Sequence, residues 1–323
     1  KLVRRIVSGT FLIEGCGALL LALRFIPRMG FGQGLYYAVF HAISAFCNAG
    51  FDLMGRYEAF SSLTGYASDV LVNITVMLLI IIGGIGFLVW DDILKYRLSF
   101  KNYSLHSKIV LVTTPVLLVG GAIGYFVFEQ NYTLQGNGIG EQILKSFFAS
   151  TTMRTAGFNT IDYASMSPSA SLLSDVLMMI GGSPGSTAGG MKITTIALVF
   201  LSMVSMLRGQ SDTVIGKRRV STILIKQAAV IILVYAVYIL AGTMLICHIE
   251  ELPMSNVLFE VISAVCTVGV TTGITPHLCA LSHIILIILM YGGRIGGFTL
   301  MLILGKQNKQ PPLRRPKENI LIG

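Results

Sequence analysis

The sequence predicts an all-α integral membrane protein in which units of membrane span, pore helix and second span repeat around a central pore. Three observations predict it. Mean hydropathy is +0.75, with 54% hydrophobic and 12% charged residues, outside the usual range of water-soluble domains. Six apolar stretches are long enough to cross a hydrocarbon layer of about 30 Å, which takes about 20 helical residues. A short apolar segment that ends in a glycine-containing tripeptide then recurs three times in one register.

The expected spans are Ile6–Ile26, Val70–Trp90, Ile109–Phe128, Leu172–Leu207, Ala228–Ile249 and Leu281–Leu304. Between the members of each pair lies a segment too short to cross: Gly34–Phe46, Gly140–Met153 and Met254–Val265. Apolar segments of that length read as re-entrant helices when they recur in register. Setting Gly269 on Gly157 and Gly50 aligns Phe40/Phe147/Phe259, Ser44/Thr151/Ser263, Asn48/Thr155/Thr267 and Ala49/Ala156/Val268. The chain therefore divides into span–pore–span units at 1–101, 102–219 and 220–306, followed by a polar, basic tail at 307–323.

Leu172–Leu207 is too long for one straight crossing, because at 1.5 Å per residue it would measure about 54 Å. Its middle, Gly181-Gly182-Ser183-Pro184-Gly185-Ser186-Thr187-Ala188-Gly189-Gly190, holds five glycines and a proline. The helix is expected to break there into a loop at membrane depth, which is tolerated only inside protein or beside a water-filled cavity. This loop is expected under the filter, inside the pore.

Lys and Arg concentrate on one side of the predicted membrane: Lys1–Arg5, Lys95–Lys108, Arg208–Lys226 and Lys306–Lys317. That side is expected to be cytoplasmic. The other side is richer in acids, among them Asp52, Glu129, Asp162, Asp175 and Glu260, giving a negative outer vestibule that gathers cations. The five cysteines show neither zinc-ligand spacing nor a disulfide framework. No cofactor and no nucleic-acid partner is expected; the lipid bilayer is the chain's medium.

The tripeptides read as strands of a potassium selectivity filter. Dehydrated K+ needs its water shell replaced, and backbone carbonyls do so without fixed charge. Glycine allows the φ values that turn successive carbonyls inward and leaves room for strands to meet at one axis. Each pore helix would also aim the negative end of its dipole at the ion. The candidate filter residues are Cys47, Asn48, Ala49 and Gly50; Arg154, Thr155, Ala156 and Gly157; and Cys266, Thr267, Val268 and Gly269.

With Thr152–Thr160 at the middle strand, Gly181–Lys192 in the broken span and Gly292-Gly293-Arg294-Ile295-Gly296 in the last span, the chain resembles the Trk/Ktr/HKT superfamily of potassium transporters, most of all the bacterial Ktr-type pore subunit. The resemblance covers nearly the whole chain. It implies four pseudo-repeats around one pore, a homodimer, and a cytoplasmic ring of nucleotide-binding regulatory (RCK-type) subunits. Three repeats are present, so a first repeat of roughly 100 residues, with the fourth filter strand, is expected ahead of Lys1 on a typical unit size. The resemblance also implies that a serine in place of the first filter glycine moves selectivity toward sodium.

Arg294 lies in the last span, where a charge is costly and functional by default. The resemblance sets it in the pore beside the Gly181–Gly190 loop, and the two are expected to form the gate. Lys192 either closes the loop or snorkels toward the cytoplasm. Arg154 is expected to point into protein, with Glu141 or Glu260 as its partner, and Glu14 to bond between helices. A phosphate-binding loop at Gly185–Lys192 fails, since the pattern G-x-x-x-x-G-K-[ST] needs Lys directly after Gly and Met191 intervenes. An enzyme is therefore not expected. The competing reading is an alternating-access secondary transporter coupled to Na+ or H+; parallel repeats argue against it, and Na+ as coupling or activating ion stays open.

Overall fold

A computed structural model describes residues 2–56, 60–97, 99–210, 212–216 and 218–295. The sixth expected span beyond Ile295, Gly296, the tail, Glu58 and Lys217 lie outside the described residues. The helices in chain order are α1 Leu2–Met29, α2 Phe31–Phe46, α3 Val70–Gly84, α4 Phe87–Tyr96, α5 Leu105–Phe128, α6 Ile139–Thr152, α7 Pro168–Met179, α8 Ile193–Leu207, α9 Thr222–Glu250, α10 Met254–Val265 and α11 Ala280–Ile295. A two-residue hairpin pairs Val214–Ile215 with Arg218–Arg219. The chain is thus an all-α membrane fold.

Helix ends follow local chemistry. Asp69 accepts hydrogen bonds from the amides of Leu71 and Val72 at 3.0 and 3.2 Å and starts α3. Ser104 and Ser167 cap α5 and α7 in the same way, and Pro168 follows at a position where its missing N–H costs nothing. The short helices α2, α6 and α10 instead begin after Gly30, Gly138 and Pro253 without side-chain caps.

The first helix of each expected unit, α1, α5 or α9, is unbroken and long enough to cross the hydrocarbon layer. Outward-facing Phe11, Val116 and Leu233 are more than three-fifths exposed, a surface that lipid covers rather than water.

The second helices behave differently. Val70–Trp90, expected as one span, breaks after α3, and α4 leaves at 93°. At the break Gly86 has φ +92°, and the amide of Phe87 donates to Gly185 O at 2.9 Å. The indole N–H of Trp90 turns back to Ile82 O at 3.0 Å, satisfying a carbonyl that the lost helical turn leaves free. Glycines 83 and 84 do more than pack helices; they sit at a bend whose freed groups the intramembrane loop takes up. In the next unit α7 and α8 are separated by Ile180–Lys192, where a break is expected.

Glycines set the packing distances. A Cβ on Gly17 would lie 2.7 Å from Leu79 Cδ1, one on Gly121 2.4 Å from Ser150 Oγ, and one on Gly242 2.6 Å from Leu289 Cδ1. These contacts join α1 to α3, α5 to α6 and α9 to α11 through small residues, as membrane helices commonly pack. Gly121→Val would overpack the α5–α6 contact, where Ser150 Oγ also donates to Leu118 O at 2.8 Å. Its expected cost is about 1–3 kcal/mol, read as a lower unfolding midpoint in detergent; an unchanged midpoint would show that α5 and α6 yield at this contact.

Candidate functional site

The short helices α2, α6 and α10 each run directly into a candidate filter strand, and the three strands share one backbone pattern. φ is positive at Asn48 (48°) and Gly50 (71°), at Thr155 (71°) and Gly157 (92°), and at Thr267 (53°) and Gly269 (90°), while the residue between each pair keeps negative φ. Alternating handedness of this kind turns successive carbonyls to the same side. For glycine the pattern is free. For the β-branched threonines it is a true outlier, held at a cost of order 1–3 kcal/mol each by the surrounding structure.

That surrounding structure is a set of repeated bonds. The middle amides of the strands, Ala49, Ala156 and Val268, donate to Ser44, Thr152 and Ser263 carbonyls at 2.9, 2.9 and 2.8 Å. The residue after each candidate filter glycine is tied back by a hydroxyl of the preceding short helix: Ser44 Oγ to Phe51 O at 2.7 Å, Thr152 Oγ1 to Phe158 O at 2.6 Å, and Ser263 Oγ to Val270 O at 2.7 Å. Ser263 also accepts from the amides of Gly269 and Val270. The register alignment sets Thr151 beside Ser44 and Ser263, but Thr151 Oγ1 bonds Phe147 O and its neighbour Thr152 makes the equivalent bond.

The strands approach one another closely. A Cβ on Gly50 would lie 2.4 Å from Ala156 O, and one on Gly157 2.4 Å from Val268 O; one on Gly269 meets nothing within 4 Å among the described residues. All three glycines line a single cavity of about 170 Å3 that also carries Asp52 and Asp162. Acids are therefore at this mouth, but fewer than the sequence suggested. Glu129, Asp175 and Glu260 are buried at 0, 6 and 6% exposure, because helix packing encloses residues that a linear reading assigns to loops and helix ends.

On the opposite side the Ile180–Lys192 loop lies against the strands. Gly189 N donates to Thr155 Oγ1 at 3.0 Å, and a Cβ on Gly189 would be 1.9 Å from Thr267 Oγ1. Thr187 Oγ1 donates to Phe46 O at the end of α2, at 2.9 Å. The loop is braced by Ser183 N to Gly84 O, Gly181 N to Met191 O and Ile193 N to Gly182 O, at 2.9, 2.8 and 3.0 Å, and by Ser186 Oγ to Ser183 O at 2.6 Å. Pro184 O and Ser183 pack on Gly86 at the α3–α4 bend.

The cations are placed as follows. Arg294 Nη1 donates to Thr187 O at 3.4 Å, so the exposed guanidinium reaches the loop. Lys192 Nζ donates to Ala188 O at 2.7 Å, a brace across the loop rather than a side chain reaching for solvent. Arg154 is 7% exposed and bonds Gly181 O at 3.4 Å. Neither expected acid pairs with it: Glu141 pairs with Lys145 at 2.8 Å, and Glu260 is held by threonines. A carbonyl at the loop's start serves the guanidinium instead, a partner that no charge pattern announces. Glu14 on α1 accepts from Cys47 Sγ at 3.9 Å, tying the first span to the first strand. Sequence reasoning missed Thr152, Glu260 and His41 as filter-side residues; their signal was a polar group on an apolar pore helix.

Comparison with known proteins follows this geometry. Residues 1–313 match the family TrkH, described as a cation transport protein. The chain is 38% identical over 330 positions to the potassium/sodium uptake protein NtpJ of Enterococcus hirae, covering 100% of this chain and 72% of that one. It is 36% identical to the Ktr system potassium uptake protein B of Vibrio alginolyticus, covering 100% and 70%, and 36% identical to the protein of that name from Bacillus subtilis, covering 100% and 71%. Among solved structures, the potassium transporter TrkH from Vibrio parahaemolyticus matches with TM-score 0.72 at 17% identity, a likeness of fold. The match covers 94% of this chain and 64% of that one, so the chain spans less than two thirds of that transporter's length.

Ser263→Ala removes one donor and one shared acceptor that hold Gly269 and Val270. Leaving those buried groups unpaired is expected to cost about 1–3 kcal/mol and to lower cation discrimination, measured as competing K+ and Na+ uptake; equal discrimination in the variant would mean the strand holds its shape without this hydroxyl.

Proposed function

The chain belongs to the TrkH family of cation transport proteins, and from that premise we propose that it takes up potassium ions across the cytoplasmic membrane along the axis where its filter strands meet. The observation that carries this reading is the alternation of φ repeated at Asn48/Gly50, Thr155/Gly157 and Thr267/Gly269. A packing element has no need to hold two threonines in the left-handed region. A strand that must present consecutive carbonyls to an ion does.

An ion enters the cavity bearing Asp52 and Asp162, where two carboxylates favour cations over anions. It exchanges water for the carbonyls of Asn48–Gly50, Thr155–Gly157 and Thr267–Gly269, with a further strand from a fourth unit completing the ring. The C-terminal ends of α2, α6 and α10 contribute partial negative charge at the same place. Below the strands the ion meets residues 181–190, braced by Lys192 and approached by Arg294. A guanidinium about 7 Å from the path raises the ion's energy by about 2 kcal/mol at an effective dielectric of about 20. Residues 181–190, Lys192 and Arg294 together form the gate: the loop blocks by its backbone, and the cations oppose the ion electrostatically.

The basic face formed by Lys95, Arg97, Lys101, Arg208, Arg218 and Arg219 is cytoplasmic on the positive-inside rule. It receives the regulatory ring, and the working unit is a homodimer. Relatives named as parts of a Ktr system support a partner subunit, and one named for potassium and sodium supports Na+ as a second ion.

Gly269→Ser is the sharper filter test, because a side chain there meets no neighbour within 4 Å among the described residues yet must adopt φ +90°. In cells lacking their own potassium uptake, the native protein is expected to prefer K+. The variant is expected to reduce the K+/Na+ ratio about tenfold, the equivalent of about 1.4 kcal/mol; indifference to the change would transfer the reading to alternating access. Arg294→Ala is expected to raise K+ flux by a factor on the order of 30, from the same 2 kcal/mol, and unchanged flux would remove Arg294 from the gate.

A further inference from the structure

The register that aligns the filter glycines also aligns a second pair of positions. Nine residues before Gly50 and Gly269 stand His41 and Glu260; three residues after them stand Leu53 and Thr272. The structure joins these positions alike in both units: Leu53 N donates to His41 Nε2 at 3.4 Å, and Thr272 N donates to Glu260 Oε1 at 3.1 Å. The middle unit has buried Phe148 at this place, and its loop is held across units instead, by Asn159 N to Ser62 Oγ at 3.2 Å and Leu63 N to Asn159 O at 3.0 Å. In two of the three units, then, a buried polar side chain on the pore helix grips the chain where it leaves the filter glycine.

The protonation of both side chains follows from their partners. His41 Nδ1 sits 2.7 Å from Tyr37 O, which only accepts, and Nε2 faces an amide that only donates. The imidazole is therefore neutral, with its proton on Nδ1. Around Glu260 there are three oxygen–oxygen contacts: Oε1 with Thr271 Oγ1, Thr271 Oγ1 with Thr275 Oγ1 at 2.8 Å, and Thr275 Oγ1 with Oε2 at 2.9 Å. Three contacts need three protons, and two hydroxyls supply two. Gly273 N and Thr272 N bring their own protons to Thr271 Oγ1 and Glu260 Oε1. The third proton belongs to the carboxyl, which closes a ring from Glu260 Oε2–H to Thr275, to Thr271 and back to Oε1. Among the described residues Glu260 has no ion pair, and it is 6% exposed, so a bare charge here would be neither paired nor hydrated.

We propose that Glu260 is a neutral carboxylic acid that acts as a positioning residue, locking the outer mouth of the Thr267–Gly269 strand through Thr271, Thr272 and Thr275, with neutral His41 as its counterpart on the Asn48–Gly50 strand. The proposal rests on the reading of these strands as the filter. It adds that two of the strands are held by neutral polar groups, so that neither grip sets a fixed charge to compete with the ion for the carbonyls of its strand. Thr271 and Gly273 also line the mouth cavity, so one member of this ring stands at the mouth itself.

The test compares Glu260→Gln with Glu260→Ala in the full-length protein, by K+/Na+ uptake ratio and by infrared difference spectroscopy of the purified protein. Glutamine offers one acceptor and one donor over the same atoms, as a neutral acid does, and is expected to keep the ratio within about threefold of native; alanine is expected to lower it about tenfold by orphaning the threonines. The native protein is expected to show a protonated-carboxyl stretching band that Glu260→Gln lacks. A loss in Glu260→Gln as large as in alanine, or no such band, would overturn the neutral acid, and a native ratio in alanine would overturn the lock. Gly269→Ser measured alongside separates the two readings: if it leaves the ratio unchanged the filter reading fails, while the infrared band still decides the state of Glu260.

Discussion

Within the hydrocarbon layer every backbone N–H and C=O must find a partner or an ion, and the rest of this structure depends on how that constraint is met where helices stop. Regular helices satisfy it in α1, α5 and α9. The candidate filter strands, the α3–α4 bend and the Ile180–Lys192 loop do not, and they solve the problem jointly. The carbonyl of Gly185 takes the amide of Phe87 beyond the bend, Gly84 O takes Ser183 N, and Phe46 O takes the hydroxyl of Thr187. Three breaks in helical structure therefore complete one another. None of them has enough bonding groups by itself, so moving one frees polar groups in the others.

Close backbone approach is the second requirement, and glycine placement meets it. A Cβ on Gly83 would sit 2.0 Å from Phe46 O, and one on Gly293 would sit 1.7 Å from Val265 O. Phe46 and Val265 occupy the same register position, four residues before Gly50 and Gly269. In two units, then, the second helix presses a glycine onto the last turn of the pore helix. That contact fixes where the helix dipole points, and it explains why glycine pairs appear both in α3 and in α11.

Much of this was legible in the sequence. The fold class, the short helices and the loop interrupting Leu172–Leu207 all follow from hydropathy, length and glycine content, and Met254–Val265 forms α10 with the expected ends. The register of Gly50, Gly157 and Gly269 was legible too, because a repeat needs no knowledge of distance. What was not legible depends on non-local contacts. Val70–Trp90 reads as a continuous apolar span, and its bend is set by Gly185, far away in the chain. The partner of Arg154 is a carbonyl, which every residue possesses, so charge pattern pointed to acids instead. Thr155 and Thr267 carry positive φ against their own preference, and only packing against the pore helices reveals it.

The loop and the strands are physically one object. Thr155 Oγ1 receives Gly189 N, so the left-handed conformation that turns the Thr155 carbonyl also aims its hydroxyl at the loop. Among the described residues, Thr267 Oγ1 and both amide atoms of Asn48 have no protein hydrogen-bond partner, although they are buried and stand at the equivalent positions of the other strands. The loop thus satisfies one of the three polar groups beneath the strands and lies against a second. Buried polar groups without partners are costly, about 1–3 kcal/mol each; in the proposed gate, water or a hydrated cation would relieve that cost on withdrawal of the loop. That withdrawal would in turn break Gly189 N to Thr155 and Thr187 to Phe46, so the proposed gate sets loop position against strand stability with bonds of similar strength. A gate of the proposed kind would be movable by a few kcal/mol, the scale on which the proposed regulatory partner would act.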